Sequence, residues 1–395
     1  DCVSIGRACF HDGEVVALGG DDADSYWQAP DTRGLKWFGE QPVSFNLPGY
    51  FDGLDGIQST DNPVRARPMA RHLEAGRLSE APVLNVTPVL FFPMFPFNFG
   101  DTMGPFFMHT WVQWASAHPE VRDMPLAVAL PHNLLLPSYW RLVEHLGHPV
   151  ETFSQLSSHD CSPGPLCFER VVGCSRFGSK PWHNYVAADG GQAWEAFRSA
   201  LVSERCPAGA GEGGGRGLVV AFAQRGKNRR LRGLENITAA CNEAEWVGGW
   251  PLRCETVHLS EIKKDICRLQ GVDVLVGIHG AQLVNALFMR PGTSLLEVRP
   301  HDWWSVNANG TLANPHHWSN TIAHKVWLTN RTRYWFYGAL ANESFPDARS
   351  PIPGRDSDVL LSWPLLHCML ERIASPTGRD SLSMKVNAGC PRALG

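Results

Sequence analysis

Several things are missing from this chain, and each absence narrows what it can be. The formal net charge is only −4, from 35 Lys and Arg against 39 Asp and Glu, which leaves no electrostatic case for a nucleic-acid partner. No run of about 18 apolar residues occurs, so nothing here reads as a membrane-spanning helix. The cysteines lack C-x-x-C spacing and do not read as a zinc site. At 44% apolar and 19% charged, the composition is not that of a disordered chain. Residues 271–300, the clearest strand–turn–helix–strand stretch, carry neither G-x-G-x-x-G nor a Walker lysine.

What is present is abundant cysteine. Eleven cysteines stand beside five Asn-x-Ser/Thr sequons, at Asn85, Asn236, Asn309, Asn330 and Asn342. One sequon is weak evidence, but five together with many cysteines favour the secretory pathway. One disulfide is expected among Cys161, Cys167 and Cys174.

The 395 residues leave room for two domains. Residues 1–80 are rich in Gly, Pro and Asp and read as an irregular N-terminal region packed on the first domain, with one strand near Glu14–Leu18. Residues 81–206 alternate strand and helix: strands at 83–92, 126–130 and 168–173, helices at 104–118, 138–146 and 192–204. Pro207–Gly217 is Gly-rich and reads as a linker. Residues 218–345 alternate again, with strands at 218–223, 253–259, 272–278 and 293–298. Helices are expected at 235–247, 260–269 and 281–289, with Ser260 as an N-cap. The tail 346–395 carries an apolar helix over 359–373. Such alternation makes parallel sheets covered by helices, an α/β fold.

In the second α/β run the chemistry gathers at strand ends. Arg225 directly follows the strand 218–223, and Arg229-Arg230 comes four residues later. The turn His279-Gly280-Ala281 follows the strand 272–278 and opens a helix whose first N–H groups suit an anion. Both turns belong at the carboxyl ends of one parallel sheet, where ligands bind. Glu297 sits near the end of the next strand, and a carboxylate there favours a ligand role, since buried Glu is rare unless paired. Asn285 either joins the site or bonds its own backbone. Trp303, Trp304, Trp318 and Trp335 are candidates to stack on a sugar or base. Asp22-Ala23-Asp24 and Asp356-Ser357-Asp358 read as solvated acidic turns rather than metal motifs, and no metal site is expected.

Gly277-x-His279-Gly280-Ala281-x-Leu283-x-Asn285, followed by Phe288, Pro291-Gly292 and Glu297, resembles the signature of the family 61 glycosyltransferases. That family includes protein O-linked N-acetylglucosaminyltransferases and plant xylosyl- and arabinosyltransferases. Gln224-Arg225, Arg229-Arg230-Leu231 and Glu235-Asn236 resemble its arginine segment. More weakly, Cys2 to Val16 resembles its opening of cysteine, strand, turn and strand.

The resemblance implies a GT-B fold. Two Rossmann-like domains would face each other across a cleft, with the C-terminal helix packing back on the first. It also implies an inverting, metal-independent transfer from a UDP-sugar, with no cofactor, to a glycan or glycoprotein hydroxyl. Arg225 and Arg229 would meet the donor phosphates with His279, Gly280 and the Ala281 amide, and Glu297 the ribose. Asn98-Phe99-Gly100-Asp101 is similar to the family's N-F-x-H segment with Asp101 at the histidine position. This makes Asp101 the first candidate for catalytic base and His109 the second; Asp101 also suits a helix N-cap. Relatives are typically type II membrane proteins of the Golgi or endoplasmic reticulum. The chain is therefore expected to be the lumenal part of a longer, anchored precursor. A fold-keeping pseudoenzyme that binds carbohydrate or nucleotide is the alternative, and a disulfide-rich secreted interaction protein the third reading.

Overall fold

The computed structural model describes residues 2–11, 14–17, 65–68, 83–84, 88–91, 99, 126–128, 138–146, 150–152, 166–174, 190–207, 217–301, 332–348, 356–375, 385–386 and 390. The chain divides into two compact units, Asp1–Pro181 and Trp182–Gly395; among the described residues the first holds strands and one 3-10 helix, and the second is α/β.

In the first unit, Cys2–His11 and Glu14–Ala17 form a hairpin; the weak family resemblance of the opening implied it, whereas the sequence of 1–80 read as irregular with one strand. Cys2–His11 also pairs antiparallel with Leu166–Cys174, placing Cys9 opposite Cys167 and Cys2 opposite Cys174. Beyond it, Val89–Phe91, Leu126–Val128 and Val150–Thr152 continue the sheet in parallel. Ser138–Leu146 is helical as expected, though of the tighter 3-10 kind. Phe99 lies edge-on to Tyr139.

The second unit is built on one parallel sheet. In chain order its strands are Leu218–Ala223, Trp250–Val257, Val274–Ile278, Ser294–Arg299 and Arg333–Gly338. Their order in space is second, first, third, fourth, fifth. An antiparallel edge pair, Trp246–Val247, flanks one side and Lys385–Val386 the other. Because side chains alternate along a strand, the sheet has two distinct faces. Val220, Phe222, Val274, Val276, Ile278, Leu296 and Val298 point into one core. Helices Leu234–Glu243 and Trp363–Ala374 cover that face, the latter through Leu365, Leu366, Met369, Leu370 and Ile373. The last helix was expected to pack back on the first domain; instead its apolar face is used in the core of the second unit.

On the other face, a Cβ on Gly277 would come within 2.7 Å of Leu283 Cδ2, so the bare glycine is what lets Ala281–Phe288 lie flat on the strand. That segment is a 3-10 helix rather than an α-helix, with Leu283 N–H donating to Gly280 O and Met289 N–H to Ala286 O. Helix Gly190–Arg205, expected with the first domain, belongs to this second layer. Trp194 Nε1 donates to Leu287 O at 3.0 Å, its ring packs on Phe288, and Cys206 is bonded to Cys267 on helix Ile262–Leu269. Of the Gly-rich stretch, residues 208–216 lie outside the described part.

Cys241–Cys254 and Cys368–Cys390 are also disulfides, and Cys167 is disulfide-bonded as well. The expected N-cap Ser260 is displaced by one residue. Glu261 takes the cap position, and the Asp265 carboxylate accepts its N–H at 2.8 Å. Among the described residues no helix is long and apolar enough to cross a membrane.

Candidate functional site

The spatial order of the strands reverses between Leu218–Ala223 and Val274–Ile278, which are neighbours although a strand intervenes in sequence. Chains leaving two such strands go to opposite sides and open a crevice at their carboxyl ends. The residues after these two strands are Gln224-Arg225 and His279-Gly280.

The structure brings these residues together. A Cβ placed on Gly280 would run into Arg225 Nη1 and lie 3.4 Å from Arg229 Nη1. Gly280 has extended backbone, φ 160° and ψ 169°, so the close approach of two guanidinium groups explains the glycine better than backbone strain does. Arg229 Nη1 donates to His279 O at 3.2 Å. Ala281 and Gln282 are half-buried at the start of the 3-10 segment, and Gln282 Nε2 donates to Ala223 O across the crevice at 3.3 Å. Asn285 is buried, with Nδ2 donating to Gln282 O at 2.8 Å, so it braces its own segment.

The arginine loop is closed at its base by one side chain. Gln224 Oε1 accepts from Leu231 N–H and Gln224 Nε2 donates to Leu231 O, at 3.2 and 3.3 Å. On its outer side, Leu231–Arg232 pairs in parallel with Asp358–Leu360, which pairs in turn with Ser344–Phe345. Asp356, Ser357 and Asp358 are therefore buried, contrary to the solvated turn the sequence suggested. Asp358 takes Arg230 through the backbone N–H at 2.8 Å and the guanidinium at 2.9 Å. Asp356 lies 3.3 Å from Arg229 Nε.

Glu297 is corrected by the structure. It is 0% exposed, and both oxygens are engaged: Oε1 by His279 Nδ1 at 2.5 Å, Oε2 by Arg299 at 3.0 Å and by the Tyr334 hydroxyl. No part of it reaches a surface from which to meet a ribose. Burial alone would favour the neutral acid. Arg299, His279 and Tyr334 outweigh it and hold the carboxyl down at about 2. Burial pushes the His279 imidazole below its ordinary value; Glu297 opposes this, while Arg299 and Arg229 add to it. Glu297 is thus an anion balanced by Arg299, and an ionised carboxylate only accepts. Neutral His279 must then donate from Nδ1–H, which fixes its tautomer. Arg299 also lies over the Phe336 ring, 5.3 Å from its centre.

Trp335 is a second correction. It is a core residue whose Nε1 donates to Ser294 Oγ at 3.3 Å, so it is not a stacking surface. Asp101, His109, Trp303, Trp304 and Trp318 lie outside the described residues. Among the described residues no group of three or more His, Cys, Asp or Glu is placed to hold a metal.

Arg299 and Tyr334 were missed in the sequence, Gln224 was seen without a role, and Asp356 was read as solvated. Arg299 had a legible signal, since it stands two residues after Glu297 on one strand and so shares its face.

In doubly wound α/β units ligands bind at the switch point, and two arginines stand there in this one. Residues 108–296 match the family model described as Glycosyltransferase 61, a span that includes His109, Arg225, Arg229 and the turn 279–281 and stops one residue short of Glu297. That match, over a little under half of the chain, supports a family 61 glycosyltransferase, an enzyme that takes a sugar donor and an acceptor. No curated protein matches it.

Proposed function

We propose that the chain is an inverting, metal-independent GT-B transferase. It moves N-acetylglucosamine, xylose or arabinose from a UDP-sugar to a hydroxyl of a glycan or glycoprotein. The observation that carries this reading is the convergence of Arg225, Arg229 and Gly280 at the switch point. Two guanidinium groups against a glycine suit a diphosphate. They supply the positive charge that leaving-group departure requires, in a fork that matches phosphate oxygens.

In the proposed step an acceptor oxygen attacks the anomeric carbon in line with the bond to the diphosphate. The proton passes to a carboxylate or imidazole, with Asp101 first and His109 second. The bond to the β-phosphate oxygen breaks, and its electrons remain on the diphosphate against Arg225 and Arg229. One displacement inverts the anomeric centre. Glu297 takes no part directly; it holds His279, whose carbonyl in turn holds Arg229. The disulfides and sequons suit the lumen of the secretory pathway, Golgi or endoplasmic reticulum, with a type II anchor in the full-length protein.

Titrating UDP into the full chain by calorimetry tests the site. Arg225→Ala should weaken UDP by roughly ten- to a hundredfold, the loss of one charge-assisted contact, and leave the melting temperature nearly unchanged. A chelator should leave parent binding and transfer as they were. UDP bound equally by parent and Arg225→Ala would move the donor elsewhere, and manganese-dependent transfer would reject the metal-independent mechanism.

A further inference from the structure

We infer that Asp356 is a positioning residue of the donor site, aiming Arg229 at the diphosphate from a segment beyond the family-matched part of the chain. The inference rests on the crevice at 225 and 280 being the UDP site.

Arg229 is held from two sides. Its Nε faces Asp356 Oδ1 at 3.3 Å, and its Nη1 donates to the carbonyl of His279 at 3.2 Å. Its backbone sits at φ 56°, a left-handed conformation that persists in a non-glycine residue only where the surroundings impose it. Those surroundings are the segment 356–360. Val359 N–H donates to Arg230 O at 3.0 Å and Arg230 N–H to Asp358 Oδ1 at 2.8 Å, so the two segments are laced together on both sides of Arg229's neighbour.

The two aspartates divide the work. Asp358 bonds the loop's backbone and the outward-facing Arg230, whose side chain is 49% exposed, and so shapes the loop. Asp356, 3% exposed, faces the guanidinium that reaches the glycine turn. A buried carboxylate is costly unless paired, and this one is paired with the arginine that lies against the candidate phosphate position. Fixing that arginine before the ligand arrives removes the ordering cost that a free side chain would carry on binding.

The test is a double-mutant cycle read as UDP affinity by calorimetry on the full chain, with thermal melts alongside. Asp356→Asn keeps the shape and removes the charge, and should weaken UDP by about three- to tenfold. Arg229→Gln should weaken it by about ten- to thirtyfold. Adding Asp356→Asn to Arg229→Gln should cost nothing further and should recover affinity, because an unpaired carboxylate beside a phosphate repels it. The double variant removes both members of the pair, so the comparison with Arg229→Gln survives even if Asp356→Asn alone fails to fold. Multiplying effects, or a double variant weaker than Arg229→Gln, would overturn the inference and make Asp356 a general fold residue. Unchanged UDP binding in Asp356→Asn, with Arg225→Ala still weakened, would overturn it as well. Arg225→Ala binding as the parent does would instead remove the crevice reading on which it stands.

Discussion

Val274–Ile278 and Ser294–Arg299 lie side by side, run in the same direction and are buried at every residue, yet one carries no charge and the other two. The first buries only apolar side chains and one glycine. The second has Leu295, Leu296 and Val298 in the same register, but Glu297 and Arg299 at its carboxyl end, both 0% exposed. In this pair of strands charge is buried only at the crevice end. Burying two ions is a poor way to stabilise a strand, because desolvation consumes most of the attraction. Their use is to fix what lies above them: Glu297 sets the tautomer of His279, and the His279 carbonyl holds Arg229.

The contrast can be broken first at Arg299. Arg299→Met should destabilise the second unit by about 3–5 kcal/mol, since Glu297 would be left buried without its cation. Glu297→Gln/Arg299→Met should recover most of that loss; a double variant as unstable as the single would mean that packing, not charge, is at stake. Denaturant midpoints decide it.

A smaller effect is expected at Tyr334. Tyr334→Phe removes one hydroxyl donated to an ionised carboxylate, which should cost about 1.5–3 kcal/mol by the same measurement. Arg299 Nη2 also donates to that hydroxyl, at 2.9 Å, so the loss should shrink in an Arg299→Met background.

The gentlest probe is acid. The folded protein holds His279 below its ordinary 6.5 and Glu297 at about 2 against an ordinary 4.5. For both groups the unfolded chain takes up a proton at a pH where the folded one does not, so stability is gained with rising pH. It should decline as pH falls below about 6.5 through His279, and further between 4.5 and about 2 through Glu297. His279→Asn should flatten the upper part of the curve. Leu275→Ala, in the charge-free strand, should lower the whole curve by about 2–5 kcal/mol without changing its shape.

How much of this was legible in the sequence depends on distance along the chain. The strands at 218–223, 274–278 and 294–299 announce themselves by β-branched and apolar runs, and the turn at 279–281 by its glycine. That Arg225 and Gly280 lie close together could be expected because parallel strands end in a common crevice, a rule that needs no tertiary detail. Glu297 was seen but misassigned: a lone carboxylate at a strand end looks like a ligand until Arg299 and Tyr334 are placed around it. Asp356-Ser357-Asp358 looked solvated because its three small polar residues have the composition of a turn. Its partners Arg229 and Arg230 are more than 120 residues away, and no local pattern reports such a pairing. Arg333–Gly338 escaped for a related reason: it begins with an arginine in a polar stretch, and only its neighbour Ser294–Arg299 makes it a strand. The close approach of the 281–288 segment to Gly277 is a tertiary contact, which periodicity does not encode.

Viewed as covalent topology, the second unit is a set of rings. Cys206–Cys267 closes a loop with a sequence separation of 61 that contains both Arg225 and Arg229; Cys241–Cys254, with a separation of 13, lies inside it; Cys368–Cys390 stands apart. The outer ring alone narrows the unfolded ensemble by an amount worth about 4 kcal/mol. The rings nest without crossing, so none has to wait for another to be threaded. All six cysteines after residue 182 are paired with one another, and Cys167 therefore bonds to one of the four other cysteines before that residue. The half of the chain that carries the arginine crevice is thus covalently self-sufficient, and its oxidation asks nothing of the other half.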